Sequence, residues 1–395
     1  MEKFDIVVIG GGVIGVSIAY HLARFGCPRV LLLERGQLGS GTTAQSSCIL
    51  RTHYSVPENV ALAQAAMAIY NDFPAYLADP DAESGYHRCG LMLVAGDGPR
   101  AVTLRETLAV ERQLGIDARE LAVDEARQIH PLVQFDDIAA IGWEPDAGYA
   151  DAYLTLSAFA RAARKLGATL REGIAVSGLT RDARGRVIGV ETSRDSIGAG
   201  LVISAQNIWS QEVAAWTGIA LPLTLSRHAV FTLDAPTPYT RNLPVLKHLA
   251  SPGKLYMRGY GGSQLLVGDG NEGETILQPD TEQADVPLEN VAEIGEQVAH
   301  RMPSFATAGL VTTWTGVYDV TPDWNPVLGP LPGVEGLHVA FGFSGHGFEL
   351  SPIVGRMIAQ GALGLVPDFA LEPYSLARFS GGRLLQGRYS AGAVS

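Results

Sequence analysis

The stretch Gly342-Phe343-Ser344-Gly345-His346-Gly347 puts three glycines, a serine and a histidine into six residues, and Phe348 and Glu349 follow directly. Gly342, Gly345 and Gly347 leave room for something flat to approach the backbone. A helix starting just after them aims unpaired N–H groups and a partial positive charge at that object. The other end of the chain says what the object is, for Gly10-Gly11-Gly12-Val13-Ile14-Gly15 fits G-x-G-x-x-G. In this pattern Gly10 allows a tight turn, Gly12 lets a pyrophosphate lie against the backbone, and Gly15 lets helix and strand pack closely. Glu34 stands 19 residues after Gly15. A carboxylate there accepts hydrogen bonds from ribose hydroxyls and repels a 2′-phosphate. An adenine dinucleotide is expected, with NADP disfavoured.

The glycine string alone marks many ordinary turns, so its setting decides. Phe4–Ile9 is β-rich, and Val13–Phe25 carries Ile14, Ile18, Leu22 and Phe25 at helical spacing. Gly26 and Pro28 stop that helix, and Val30–Leu33 reads as a second buried strand. This is a βαβ unit with the fingerprint at its first turn. Further helices are expected over Pro57 to Leu77, Ala101 to Leu114, Thr155 to Leu166 and Val291 to Arg301, with a last one starting within Phe348–Pro352. Strand-like runs cover Ile138–Trp143, residues 187–204, Ala229–Leu233, Leu255–Arg258, Gln264–Val267 and Leu337–Ala340. Rossmann-like pieces thus stand at the start, middle and end of the chain, with β-rich stretches between them. The pattern predicts two interleaved domains of the α/β class, followed by a loose Gly- and Ser-rich tail.

Residues 36–47 choose between FAD and NAD. They read G-Q-L-G-S-G-T-T-A-Q-S-S, placing Ser40, Thr42, Thr43, Ser46 and Ser47 directly after the ribose carboxylate. Such a loop follows an extended cofactor with hydroxyl and N–H donors; the bland alternative is a surface loop. The second glycine cradle at 342–347 is one that NAD does not need. Together they favour FAD.

The totals set bounds. A chain of 395 residues suits two domains, and 47% hydrophobic with 18% charged residues describes a globular protein. A net charge of −12 leaves no basic stripe for nucleic acid, though one or two local cations suffice for a small anion. Cys27, Cys48 and Cys89 form no C-x-x-C pair, so neither a disulfide framework nor a metal site is expected. Met1-Glu2-Lys3 runs straight into Ile6-Val7-Val8-Ile9 without a signal-peptide pattern, and no 18-residue apolar segment appears. A cytoplasmic location is expected, with the oligomer state open.

The G-G-G-V-I-G turn with Glu34, Leu50-Arg51-Thr52-His53-Tyr54, Thr321-Pro322-Asp323 and the 342–348 stretch resemble the D-amino-acid-oxidase-like FAD flavoproteins. The branch holding sarcosine oxidase, glycine oxidase and dimethylglycine dehydrogenase is the most similar in motif. The resemblance runs from residue 4 to about 375. It implies a Rossmann-like FAD domain from 1–85, 140–215 and 315–375. It also implies an α+β substrate domain on a mostly antiparallel sheet from 86–139 and 216–314, with 376–395 as the tail. It implies oxidation of the C–N bond of a secondary amine or N-substituted amino acid by hydride transfer to flavin N5, giving an imine that hydrolyses. Oxygen or an electron-transfer acceptor would then take the electrons. The alternative is a flavoprotein subunit or assembly partner with little turnover of its own. Fingerprint and resemblance together give the expected FAD contacts: Gly10, Gly12, Val13, Ile14, Gly15, Glu34, Arg35, Ser40, Thr42, Thr43, Ser46, Ser47, Val176, Trp209, Gly342, Ser344, Gly345, His346, Gly347 and Phe348. Arg51 matches the arginine that grips a substrate carboxylate, Tyr318 an active-site tyrosine and His346 the flavin-contacting histidine.

Three departures from the branch carry information. Gly316 stands where sarcosine oxidase has the cysteine that bonds flavin, so FAD is expected to be non-covalent. Leu266 stands where that branch has a lysine promoting reaction with oxygen, which leaves oxidase and dehydrogenase open. Glu349 replaces a second carboxylate-gripping lysine. It is expected to turn away, to be neutral, to pair with Arg51, or to pair with a positive group of the substrate. The last is preferred, which points to a substrate with an extra amine of its own or an amine lacking the usual carboxylate, and it counts Glu349 among the catalytic candidates.

Overall fold

The computed structural model describes residues 2–234, 239–270, 273–279 and 286–387. Strand β1 (Lys3–Ile9), helix α1 (Val13–Arg24) and strand β2 (Val30–Leu33) form the expected βαβ unit. The two strands pair in parallel from Ile6–Val30 to Ile9–Leu33. All of β2 is buried, as parallel strands covered on both faces are. Helix α1 is buried from Val13 to Ala23, so it is enclosed on every side, and its buried His21 is satisfied by the Ser17 carbonyl and Tyr76 Oη at 2.7 Å each.

On its other edge β1 pairs in parallel with Ser196–Ser204, which in turn pairs in parallel with Leu337–Phe341. Thr169–Arg171 extends the sheet beyond β2, while Val176–Arg181, Val187–Thr192 and Val327–Pro330 add antiparallel edges to make eight strands. Three parallel strands therefore end side by side at Ile9, Ser204 and Phe341. The turn at 10–15 and the loop at 342–347 leave from those ends and meet, although they sit at opposite extremes of the chain. Their meeting place is the crevice outside the carboxyl ends of the strands, where open α/β sheets bind ligands.

A second sheet of nine strands lies over this crevice. Its spine is Thr224–Asp234, paired antiparallel with Gly309–Val320 along one edge and with Gln264–Gly268 along the other. Tyr256–Tyr260, Val245–His248, Leu91–Ala95 and Ala140–Glu144 continue it, with a single parallel pairing between Val245–His248 and Leu91–Ala95.

The structure moves several expected boundaries. Ala140–Glu144, expected with the FAD domain, is a strand of the second sheet because it pairs with Leu91–Ala95. Gly309–Val320 runs unbroken through the expected division at 315. The helix expected over Pro57 to Leu77 is two, Pro57–Asn71 and Phe73–Leu77, because Pro74 has no N–H for the Tyr70 carbonyl and its ring would clash there. The helix expected from Thr155 starts at Ala152, where the Asp151 carboxylate accepts hydrogen bonds from Tyr153 and Leu154 N–H at 2.9 and 2.8 Å. The tail, expected to be loose over about the last fifteen residues, is held as far as Leu385. Arg378 makes a bidentate contact with Asp323 at 2.7 and 2.9 Å, both side chains being buried, and Leu385 N–H donates to the same carboxylate. The Asp of the T-P-D motif thus clamps the C-terminal segment; residues 388–395 lie outside the described residues. Among the described residues no helix is long and apolar enough to cross a membrane.

Candidate active site

Three adjoining cavities run along the crevice, and the expected residues line them in order. Gly10, Gly12, Glu34, Arg35, Ser40, Thr42, Thr43, Val176 and Trp209 line the first. Val13, Ile14, Ser46, Ser47, Tyr318, Gly345, Gly347 and Phe348 line the second, which shares Gly12, Thr42 and Thr43 with the first. Arg51, Ser344, His346 and Glu349 line the third, which shares Ser46, Ser47, Tyr318, Gly345 and Phe348 with the second.

The fingerprint turn is built on contacts that tolerate no side chain. Gly10 has φ +105°, and a Cβ on it would lie 2.5 Å from the Ala205 carbonyl oxygen. A Cβ on Gly15 would lie 1.9 Å from the Gly10 oxygen. The Glu34 carboxylate accepts Gly11 and Gly36 N–H, each at 2.7 Å, and so is held at the edge of the first cavity. Thr43 Oγ1 accepts Val13 N–H at 3.1 Å, tying helix α2 (Thr42–Gln45) to the start of α1. Arg35 pairs with Glu212 at 2.6 Å and lies over the Trp209 ring at 5.2 Å.

Two residues expected at the cofactor stand back from the cavities. Gly15 and Gly342 line none of the three cavities. Gly15 serves the packing of α1 against the turn. The N–H of Gly342 goes to the carboxylate of Asp319, which also accepts Phe343 N–H at 3.1 Å. Asp319 is fully buried, and burial pushes its carboxyl up to about 7. Sequence reading did not single it out, yet it fixes the whole closing loop to the strand Gly309–Val320. Gly345, at φ +92°, lies so close to the Tyr318 ring (2.7 Å from a notional Cβ) that only glycine admits the tyrosine between the second and third cavities. Helix Gly347–Ala362 then begins at the second cavity. Its Pro352 leaves the Phe348 carbonyl without an intrahelical donor, and Tyr70 Oη supplies one at 3.1 Å.

The third cavity holds the charges. Arg51 Nε lies 3.9 Å from Glu349 Oε1, its guanidinium sits 4.1 Å from the Tyr54 ring centroid, and Nη1 donates to the His53 carbonyl. Tyr54 Oη donates to Glu349. Of the outcomes open for Glu349, turning away is therefore ruled out and pairing with Arg51 is observed. Nearby, His53 Nδ1 lies 2.7 Å from Glu111 Oε1, Glu144 accepts Thr52 N–H at 2.6 Å, and both buried acids act electrostatically on Arg51. Burial raises Glu349 to about 7 against the opposing pull of Arg51 and Tyr54. Burial, helped by Arg51 and Lys247, holds His346 well below its ordinary range, so its imidazole is neutral.

Sequence reading gave Tyr54 no role and missed His228, Tyr256 and Lys247. His228 and Tyr256 line the second and third cavities, and His228 stacks on Tyr318 with ring centroids 3.9 Å apart. Lys247 lines the third. A signal for it existed: in Val245-Leu246-Lys247-His248, strand alternation puts Val245 and Lys247 on one face.

Comparison with known proteins decides the family. The description "FAD dependent oxidoreductase" (DAO) matches residues 5–361, nearly the whole chain. The chain belongs to the DAO family. It is 29% identical over 95% of its length to 4-methylaminobutanoate oxidase (formaldehyde-forming) from Paenarthrobacter nicotinovorans, but spans only 45% of that protein. It is 27% identical to glycine oxidase from Geobacillus kaustophilus, covering 96% of this chain and 98% of that one. The solved structure of L-proline dehydrogenase from P. horikoshii superposes with a TM-score of 0.87 at 27% identity, covering 97% and 99% of the two chains.

The residues present fit the FAD of a DAO-family protein. The close-packed turn, the Glu34 carboxylate and the hydroxyls of 40–47 serve the dinucleotide end, while Gly345, Gly347 and Phe348 serve the second cavity. Gly316 also lines that cavity and has no nucleophile. Acid precipitation is expected to release spectrally intact FAD into the supernatant; flavin staying with the denatured chain would contradict this.

The Glu349 shift has a stability consequence. The folded state binds this proton more tightly than the unfolded chain, whose value is 4.5. The group therefore stabilises the fold below about pH 4.5, and that contribution is lost as pH rises through about 7. Glu349→Gln removes the titration, so the stability of the variant relative to wild type is expected to rise across that window by up to about 3 kcal/mol. Urea unfolding of both proteins at several pH values measures it. A constant difference would mean that the carboxyl titrates normally.

Proposed function

We propose that this chain oxidises the C–N bond of a small amine or amino acid, with hydride leaving the carbon beside nitrogen and the imine product then hydrolysing. When bound, FAD supplies the two-electron acceptor. The observation that carries this reading is the junction of the second and third cavities at Tyr318, Gly345 and Phe348. A molecule held among the charges of the third cavity stands directly against the contents of the second.

The chain's own groups suit the task. Hydride leaves readily only when the nitrogen lone pair is free, so the substrate ammonium must first lose a proton. Glu349, raised to about 7 by burial and facing the cavity, is matched to take it near neutral pH. Arg51 holds Glu349 in place and offers a guanidinium to an anionic group of the substrate. Tyr318, Tyr256 and the neutral His346 form a wall that keeps water from the reacting carbon. The N-terminus of helix Gly347–Ala362 favours negative charge building up in the second cavity. Relatives named for 4-methylaminobutanoate and L-proline, both secondary amines with a carboxylate, support the substrate class. Leu266 is fully buried with Val230 and Tyr256, so it offers no cation for oxygen chemistry.

Anaerobic mixing with a panel of primary and secondary amines, with and without carboxylates, tests the reading. Full bleaching of the flavin within seconds by at least one of them is expected. No bleaching by any amine would overturn the proposal in favour of a subunit or assembly role. Repeating the reaction in air with peroxide detection separates oxidase from dehydrogenase.

A further inference from the structure

Residue 349 is an acid where the similar branch has a cation, yet the third cavity is not short of basic groups. Lys247 enters it from the strand Val245–His248, beside Val245 and opposite Leu93 in the neighbouring strand Leu91–Ala95. Its Nζ passes over Gly270, where a Cβ would lie only 2.4 Å from it, so glycine at 270 is what lets the amine reach the cavity wall. The cavity wall it joins includes Leu91, Leu93, Val245 and the ring of Tyr256, whose centroid is 5.5 Å from Nζ, and the Lys254 carbonyl also lies against Gly270. Among the described residues no hydrogen bond or salt bridge satisfies this amine. The charges acting on it are those of Arg51, Lys254 and Asp269. Burial, together with Arg51 and Lys254, lowers this amine to about 7, so an anion placed beside it would both hold its proton and balance its charge. Arg51 is already engaged by Glu349 at 3.9 Å, so of the two cations it has the less to spare.

We propose that Lys247 is the principal anchor for the substrate carboxylate, with the branch's lysine at 349 relocated to the facing sheet. The cavity then has two poles. Lys247, with Arg51 assisting, takes the carboxylate, and Glu349 takes the nitrogen. This assigns the substrate to amino acids rather than simple amines, and it makes Lys247 a specificity residue. The inference rests on the amine-oxidation reading for its nitrogen pole, but its anion pole is testable without turnover.

Propionate and its uncharged isostere propionamide are titrated calorimetrically into the wild-type holoprotein, Lys247→Met and Lys247→Arg. Propionate affinity is expected to fall about tenfold or more in Lys247→Met, the scale of one charge-assisted contact. It should stay within about threefold in Lys247→Arg, which keeps the charge, while propionamide affinity is alike in all three. Flavin content and melting temperature equal to wild type certify the fold, and Lys247→Gln replaces Lys247→Met should the latter not accumulate. Equal propionate affinity in wild type and the neutral variants overturns the proposal, even if amines bleach the flavin. A fall in affinity with no amine able to bleach the flavin upholds the anion pole and defeats the oxidation reading instead.

Discussion

Gly15→Ala protein should purify nearly free of flavin. The added methyl would sit 1.9 Å from the Gly10 carbonyl oxygen, which is backbone and cannot rotate aside. Gly10 has no slack to give, because its own notional Cβ position is 2.5 Å from the Ala205 oxygen. The turn must therefore move away from α1, and Gly12, Val13 and Ile14 leave the cavity walls with it. Overpacking of this kind costs about 1–3 kcal/mol or more. All of that strain falls on the dinucleotide site, so a loss of about a hundredfold in FAD affinity is expected. The measurement is the flavin-to-protein absorbance ratio after extensive dialysis, followed by titration with added FAD. Gly295→Ala is the control. That glycine lies within helix Leu288–Arg301 with nothing within 4 Å of a notional Cβ. It should keep full flavin and gain about 0.4–1 kcal/mol of stability. A Gly15→Ala protein with wild-type flavin content would show that the turn does not form the cofactor site.

The turn was legible because its information is local: a strand, a glycine spacing and a carboxylate at the end of the next strand. The same holds for the closing loop at 342–347, whose glycines announce close approach whatever lies opposite. What the sequence could not show was how elements distant in the chain pair. Ala140–Glu144 reads as a strand, but nothing in its residues says that Leu91–Ala95 is its neighbour. Strand alternation put Lys247 on one face with Val245 but, for the same reason, did not say which way that face turns. Its strand joins Leu91–Ala95 in parallel, and only that pairing turns its face toward the cavity. Asp319 looked like one more carboxylate until the fold brought the backbone N–H groups of Gly342 and Phe343 to it. The Gly- and Ser-rich composition of about the last fifteen residues pointed to a loose tail, and the buried Asp323 holds the start of it by accepting Leu385 N–H. Composition describes what a segment can do alone; it is silent about the partner that arrests it.

Glu349→Lys should lower the efficiency of flavin reduction by simple amines about a hundredfold. Opposite unit charges about 4 Å apart attract by about 4 kcal/mol at an effective dielectric near 20, and like charges repel by as much. In wild type the carboxylate lies 3.9 Å from Arg51 Nε and faces the cavity, where it attracts a substrate ammonium and can relieve it of a proton. A lysine there repels both Arg51 and the ammonium. It would respond by losing its proton or swinging aside, so only part of the full reversal, about 3 kcal/mol, reaches the rate. Amino acids should suffer less than simple amines, because the new cation also attracts their carboxylate. The ratio of the two efficiencies therefore rises even as both fall. Glu349→Gln removes attraction without adding repulsion and should lie between, at about a tenfold loss. The pair of variants separates charge from shape, since glutamine fills the glutamate's space while lysine restores the cation found at this position in the similar branch. Faster reduction of Glu349→Lys by the best simple amine of the wild type would mean that the carboxylate opposes the nitrogen rather than receiving it. The two poles of the cavity would then have to be exchanged.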